Sequence, residues 1–216
     1  MDEIAIKAEV LNLVRRQAPS RRRPTVATEF QISSGQTRAD LAIMDQGLFY
    51  GIEIKSKKDS LRRLSSQAQN YRSCFDRTLL VLDSSHLIKY LDFNYDYCDV
   101  WTFDENDKLR LFHTGHHINV PDENLFEMLT YKERELAFRD PIFSGKSKRQ
   151  IFAHFFDKKF KETSSMLWTR AKGRKIVGSD IKYLSRFRPS RIATKRLEDN
   201  KQQEWNAWLK AQEIHA

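Results

Sequence analysis

A short stretch in the first third of the sequence combines two carboxylates and a lysine at a spacing that suits metal-dependent chemistry. Asp40 opens an apolar run over 41–44, and a second run over 48–54 leads to Glu53 and Lys55. Side chains alternate along an extended strand, so Glu53 and Lys55 are expected to point to one face. If the two runs pair as a hairpin, Asp40 reaches that face as well. Such a group suits a hard divalent cation that activates a water molecule.

The order of these residues resembles the pattern of the PD-(D/E)XK nuclease superfamily. In that pattern an acid at the start of one strand is followed by acid-x-Lys in the next strand. Asp40 and Glu53-Ile54-Lys55 match these two parts, although Ala39 stands where the family has proline. An acid-x-Lys triplet also occurs by chance in lysine-rich proteins, so the match depends on the whole ordered set.

Three further residues extend the resemblance. Gln67 and Tyr71 reproduce the Q-x-x-x-Y spacing of several exonuclease branches, and four residues apart on a helix they share a face. Tyr71 also continues the apolar stripe of that helix, so it is equally consistent with a core residue. Glu29 fits the pattern T-E-F…R-A-D of a small, mostly uncharacterised bacterial and phage branch. The similarity extends from Glu29 to roughly residue 133.

The resemblance implies a restriction-endonuclease-like α/β fold, in which a central mixed sheet is flanked by helices. It implies a Mg²⁺ site, with Mn²⁺ as a substitute, formed by Asp40, Glu53 and the backbone carbonyl of Ile54. Glu29 is expected to assist the metal or to pair with Lys55, which would orient the attacking water. The implied catalytic residues are Asp40, Glu53, Lys55, Glu29, Gln67 and Tyr71.

The sequence therefore predicts a metal-dependent nuclease, with DNA favoured over RNA as its substrate and a homodimer as a possible assembly. Two alternatives stay open on the same fold: an inactive nucleic-acid-binding module, or a phage or defence factor that binds another protein. Glu3 and Glu9 lie on a predicted helix over 2–18, and we interpret them as ordinary surface acids.

The distribution of charge also favours a nucleic-acid partner. The net charge is +9, and residues 141–216 contain 18 Lys and Arg against 7 Asp and Glu, which leaves 20 against 22 in the first 140 residues. A strongly basic third attracts a polyanion, although a solvated helical tail would have the same composition. The residues predicted to contact nucleic acid are Arg21, Arg22, Arg23, Arg38, Lys57, Arg170, Lys172, Arg174 and Lys175.

Turn-forming residues near 140–145 divide the chain into a nuclease-like domain over 1–140 and a basic α-helical extension over 141–216. Within these parts we predict helices over 123–139, 149–159, 161–172, 179–186 and 192–214. The chain has two cysteines without metal-site spacing, acids where a signal peptide needs basic residues, and no apolar run long enough to span a bilayer. These features predict a cytoplasmic protein that does not bind membranes.

Overall fold

Six strands form one mixed sheet, and their order in space follows their order along the chain. The strands are β1 (Thr25–Ile32), β2 (Thr37–Asp45), β3 (Leu48–Lys55), β4 (Arg77–Leu82), β5 (Cys98–Phe103) and β6 (Leu109–His113). Strand β2 pairs antiparallel with both β1 and β3, whereas β4 pairs parallel with both β3 and β5. Strand β6 returns antiparallel to β5. The predicted α/β class, a mixed sheet flanked by helices, is confirmed.

This computed structural model describes residues 1–18, 22–32, 37–90, 95–104, 106, 108–185, 201–202 and 205. Arg21 and most of the helix predicted over 192–214 lie outside these ranges. Among the described residues, no helix has the length and apolar character needed to cross a bilayer.

A two-residue turn sets the register of the strands that carry the predicted site. Gln46 and Gly47 both have positive φ angles, 50° and 80°, and Asp45 pairs with Leu48 across the turn. Left-handed conformations at both central residues match the twist of a tight hairpin. The turn therefore aligns β2 with β3, so that Leu41 lies opposite Ile52.

The part of the chain that the structure describes contains six α-helices, and two of the predicted helical regions differ from them. The predicted helix over 123–139 is two helices, because Thr130 caps a new one through a reciprocal pair of hydrogen bonds with Glu133. The segments predicted over 149–159 and 161–172 form one continuous helix. The helices are α1 (Glu3–Gln17), α2 (Leu64–Cys74), α3 (Leu87–Tyr90), α4 (Asp122–Glu127), α5 (Tyr131–Arg139) and α6 (Lys148–Arg170).

Helix α6 belongs to the main hydrophobic core. Phe152 and Phe156 lie 5.0 Å and 5.2 Å from the ring of Phe49 on β3, measured between ring centroids. Such aromatic contacts stabilise a core beyond the area they bury. The domain boundary at residue 140 stays a prediction, but the first long helix beyond it packs directly on the sheet.

A buried ion pair attaches the start of α6 to the centre of the fold. Asp76 is 2% exposed and accepts two hydrogen bonds from the guanidinium of Arg149, at 2.7 Å and 3.0 Å. Its carboxylate also accepts from the backbone N–H groups of Phe49 and Val120. The same arginine contacts Asp122 on α4, so one cation links three elements.

Candidate metal-binding acidic site

The site begins where the pairing of β2 with β3 stops. The last paired residues are Leu41 and Ile52, and beyond them the N–H of Ile54 donates to Oδ2 of Asp40 at 2.6 Å. A side-chain carboxylate thus accepts from a strand N–H at the point where the ladder ends. As a result, Asp40 is hydrogen-bonded to Ile54, the residue between Glu53 and Lys55. This bond brings both predicted acids and the lysine to one place.

Glu29 reaches the same place through an unusual backbone conformation. It lies between the paired residues Thr28 and Phe30 on β1, and its φ angle is +51°. A left-handed conformation is costly for a residue with a side chain, so it marks a local departure from regular strand geometry. Ala27 and Phe30 both contact the aromatic core, which shows that the alternation of faces breaks at Glu29.

Helix α1 adds an acid and a lysine that the sequence analysis did not assign to the site. Lys7 Nζ lies 2.6 Å from a carboxylate oxygen of Glu3 and 2.6 Å from one of Glu29. Oxygen atoms of Glu3, Glu29 and Asp40 all lie within 4.8 Å of one another. Glu3 is therefore part of the acidic group, whereas Glu9 pairs with Lys175. The i, i+4 spacing of Glu3 and Lys7 is the sequence feature from which their pairing could have been predicted.

A second network surrounds Glu53. Its Oε1 accepts from Lys55 Nζ and from Gln67 Nε2, each at 2.6 Å, and its Oε2 accepts from the hydroxyl of Tyr71 at 2.6 Å. The strand alternation and the four-residue helical spacing thus bring these side chains together as expected. Tyr71 is also fully buried, so it is a core residue and a hydrogen-bond donor at once. Burial raises the pKa of its hydroxyl far above the ordinary value.

The contacts differ from the predicted ones in two respects. Glu29 does not pair with Lys55, because Lys7 lies against Glu29 while Lys55 donates to Glu53. The contact that the structure shows for Ile54 uses its N–H, not its carbonyl. The carboxylates close enough to share an ion are Glu3, Glu29 and Asp40, and the roles of Glu53 and the Ile54 carbonyl as metal ligands stay predictions.

The site carries an excess of negative charge in a partly dry environment. With all groups ionised, its formal charge is −2, the charge that one divalent cation would neutralise. Burial raises the pKa of Asp40 to about 7, and the neighbouring Glu53 adds to this effect. Burial alone would lower the pKa of Lys7, but hydrogen bonds to Glu29 and Glu3 raise it. The charged groups are Glu3, Glu29, Asp40, Glu53, Lys7 and Lys55.

The donor set fits a hard cation. Carboxylate oxygens are the ligands that Mg²⁺ prefers, and it keeps several of its waters when bound. Within the described residues, Gln67 Oε1 is a buried acceptor without a hydrogen-bond partner, and it belongs to the amide that donates to Glu53. A buried acceptor of this kind is suited to receive a hydrogen bond from an ordered water.

Replacing Asp40 with asparagine is expected to stabilise the metal-free protein at neutral and alkaline pH. The pKa of the Asp40 carboxyl is 3.8 in the unfolded chain and about 7 in the folded protein. The folded protein therefore binds the proton more tightly, so the free energy of unfolding falls as the pH rises from about 4 to 7 and is constant above pH 7. The asparagine amide keeps an acceptor for Ile54 N–H and removes this penalty, worth roughly 2–4 kcal/mol above pH 7. Thermal unfolding in EDTA between pH 4 and 8 measures the difference. Superimposable pH profiles would contradict it.

The predicted nucleic-acid contacts fall into two groups. Arg38 and Lys57 are exposed on the strands and loop beside the acidic group, and Arg22 and Arg23 are exposed before β1. Near the end of α6, Arg174 forms two hydrogen bonds with Asp180, and Lys175 pairs with Glu9. Arg174 and Lys175 are therefore already neutralised, in contrast to the exposed Arg170 and Lys172.

Fold and site together define a mixed α/β protein with an acidic group at the opening between two central strands. The chain belongs to the family of bacteriophage P4 protein cII, whose family model matches residues 1–185. A solved structure, the SPO1766 protein of unknown function from Silicibacter pomeroyi, is 18% identical to it with a TM-score of 0.44. That match covers 66% of this chain and 94% of the other. A comparison with curated proteins found no match.

Proposed function

We propose that this protein is a metal-dependent nuclease of the PD-(D/E)XK type, which hydrolyses phosphodiester bonds and favours DNA over RNA. The observation that carries the proposal is the hydrogen bond from Ile54 N–H to Asp40, which places that carboxylate beside Glu53 and Lys55. Burial raises the pKa of the Asp40 carboxyl, so a structural core gains little from a negative charge at this position. A site for a divalent cation requires such a charge.

The residues that would hold the cation are Asp40 with Glu3 and Glu29, and Glu53 on the side facing α2. A bound Mg²⁺ lowers the pKa of a coordinated water and neutralises charge that develops on the phosphate oxygens. Lys7 forms part of this group and pairs with both Glu3 and Glu29, which offsets half of their negative charge. The assignment of Glu3, Glu29 and Asp40 rests on the proximity of their carboxylate oxygens, whereas that of Glu53 rests on the resemblance to the nuclease pattern.

Lys55 is the residue that this chain supplies for charge stabilisation. The side chain of Lys55 is only 8% exposed, and its Nζ donates to Oε1 of Glu53 at 2.6 Å, so the position of the ammonium is well defined. An ammonium donates hydrogen bonds, and a fixed donor stabilises negative charge on a phosphate or on an attacking hydroxide. Gln67 donates to the same oxygen of Glu53 as Lys55, and Tyr71 donates to the other oxygen, so both fix the carboxylate that orients this lysine.

A nucleic-acid-binding module without catalysis is the second candidate. It is favoured by the three hydrogen bonds that Glu53 already accepts, which leave little room for a metal ion, and by the position of Lys7 between Glu3 and Glu29. A lysine in that position can replace a cation permanently. The two candidates differ in one measurable property, because only the nuclease requires a divalent metal at Asp40.

The decisive experiment incubates the purified protein with end-labelled single- and double-stranded DNA and RNA. Mg²⁺, Mn²⁺ and EDTA are compared, and Asp40→Asn protein prepared in parallel reveals contaminating nuclease. We expect cutting by the wild type with either metal, loss of cutting in EDTA, and loss in the variant. Equal cutting by Asp40→Asn, or cutting that resists EDTA, would eliminate the proposal. Metal-independent binding without cutting would support the second candidate.

A further inference from the structure

Three basic segments that are distant in sequence meet at the C-terminal end of α1. Arg15 donates to the carbonyl of Ala171 just beyond α6, and Arg23 donates to the carbonyl of Arg15, each at 2.9 Å. Trp168 on α6 donates to the carbonyl of Pro24, also at 2.9 Å. These contacts bring the ends of α1 and α6 together with the segment that precedes β1.

The surface at this junction is rich in exposed cations. Burial lowers the pKa of Arg15, and the neighbouring Arg23, Arg16 and Arg174 lower it further, as expected where like charges are crowded. Five exposed cations lie at this junction, and within the described part of the chain none of them forms an ion pair with a carboxylate. We call this group the basic surface: Arg16, Arg22, Arg23, Lys161 and Lys172.

A recess of about 210 Å³ lies within this surface, between Arg22, Arg23 and Lys161. Asp45 and Asp157 also line it, and Asp157 accepts a hydrogen bond from the hydroxyl of Thr25 at 2.6 Å. Three cations, Arg22, Arg23 and Lys161, therefore line the recess against two carboxylates. The recess is therefore a concave position at which an oxygen of a phosphate group can contact more than one cation.

The basic surface lies at a defined distance from the acidic group. Helix α1 connects them, and the nine residues from Lys7 to Arg16 correspond to roughly 14 Å of helix. Along the segment that leads into β1, the six residues from Arg23 to Glu29 correspond to at most roughly 20 Å. One strand of B-form DNA carries a phosphate about every 3.4 Å along the helix axis, so this interval spans roughly four to six phosphates.

We infer that the basic surface binds the phosphate backbone of nucleic acid roughly four to six phosphates away from the acidic group. This inference rests on the proposed function for its substrate class. Nucleic acid is favoured over other polyanions because one continuous molecule can present phosphates to both places at a regular spacing. The surface then sets the position of the backbone and the length of substrate required, while the acidic group carries the reaction.

The test measures binding of a 20-base-pair duplex by fluorescence anisotropy in EDTA, over a range of salt concentrations. The variant Arg22→Ala/Lys161→Ala removes two cations of the basic surface, and Lys108→Ala/Lys132→Ala removes two exposed cations elsewhere. Each lost phosphate contact lowers the slope of log affinity against log salt by about 0.9. We expect the first variant to lower this slope by about 2 and the control variant to leave it unchanged.

Equal slopes for the wild type and the first variant, or equal losses in both variants, would overturn the inference. Vesicles with anionic lipid headgroups form a separate arm, and loss of vesicle binding without loss of duplex binding would also overturn it. Because these measurements need no metal, they separate this inference from the nuclease proposal, which fails if the wild type does not cut. For an active enzyme, we expect the first variant to raise KM with kcat unchanged, since the surface is remote from the reacting groups.

Discussion

Replacing Lys55 with alanine is expected to lower the rate of Mg²⁺-dependent cleavage by roughly 10²–10³-fold, because it removes a fixed donor from the place where negative charge develops. Glu53 retains the donors Gln67 and Tyr71, so its carboxylate does not lose all its partners. The measurement is single-turnover cleavage of a labelled duplex at saturating protein. It is made well below the melting temperature of the variant.

Lys57→Ala is the matched control for this prediction. Lys57 lies two residues further along the chain, carries the same charge and is exposed to solvent. Its loss should change binding at low salt but not the rate of the chemical step. A Lys55→Ala enzyme that cuts within about threefold of the wild type, with Lys57→Ala unchanged, would refute the role assigned to Lys55.

Replacing Asp76 with alanine is expected to lower the free energy of unfolding by roughly 3–5 kcal/mol, a large part of the stability of an ordinary domain. The substitution leaves the guanidinium of Arg149, whose side chain is 23% exposed, without its most buried partner. It also removes the acceptor for the N–H groups of Phe49 and Val120, which adds the cost of buried unsatisfied donors. Urea denaturation measures the effect.

Asp104→Ala serves as the control for the buried pair. Asp104 forms an ion pair with Arg110, whose side chain is 65% exposed, and accepts from the N–H groups of Asn106 and Lys108 in the same exposed turn. Exposed pairs contribute little to stability, so we expect a much smaller loss than for Asp76→Ala. If Asp76→Ala lowers the free energy of unfolding by less than about 1 kcal/mol, the buried pair does not attach α6 to the sheet as described. Cleavage activity at low temperature should survive in Asp76→Ala, because its carboxylate does not contact the acidic group.

Local patterns were sufficient to predict the central strands and the Glu53 network. The hairpin depends on a turn at Gln46 and Gly47 and on alternation along two adjacent strands, which are properties of neighbouring residues. Glu53 and Lys55 share a face because side chains alternate with a period of two, and Gln67 and Tyr71 share one because they lie four residues apart. The α/β class was implied by the resemblance that these residues carry.

Helix boundaries were less predictable, because they depend on single capping residues and on the packing of apolar faces. Thr130 divides the segment predicted as one helix into two helices through its bonds with Glu133. In contrast, α6 continues through Phe160 because its aromatic side chains pack on the sheet over that whole length.

The sequence by itself determined the α/β sheet, the hairpin and the convergence of Glu53 with Lys55, since each depends on residues that are close along the chain. Only the tertiary structure decided that Glu3 and Lys7 join Glu29 and Asp40, because that contact joins residues up to 37 positions apart. The same holds for the basic surface, where Arg15 and Ala171 are 156 positions apart. Contacts of this kind arise when helices dock on the sheet, and no local period encodes which residues will meet.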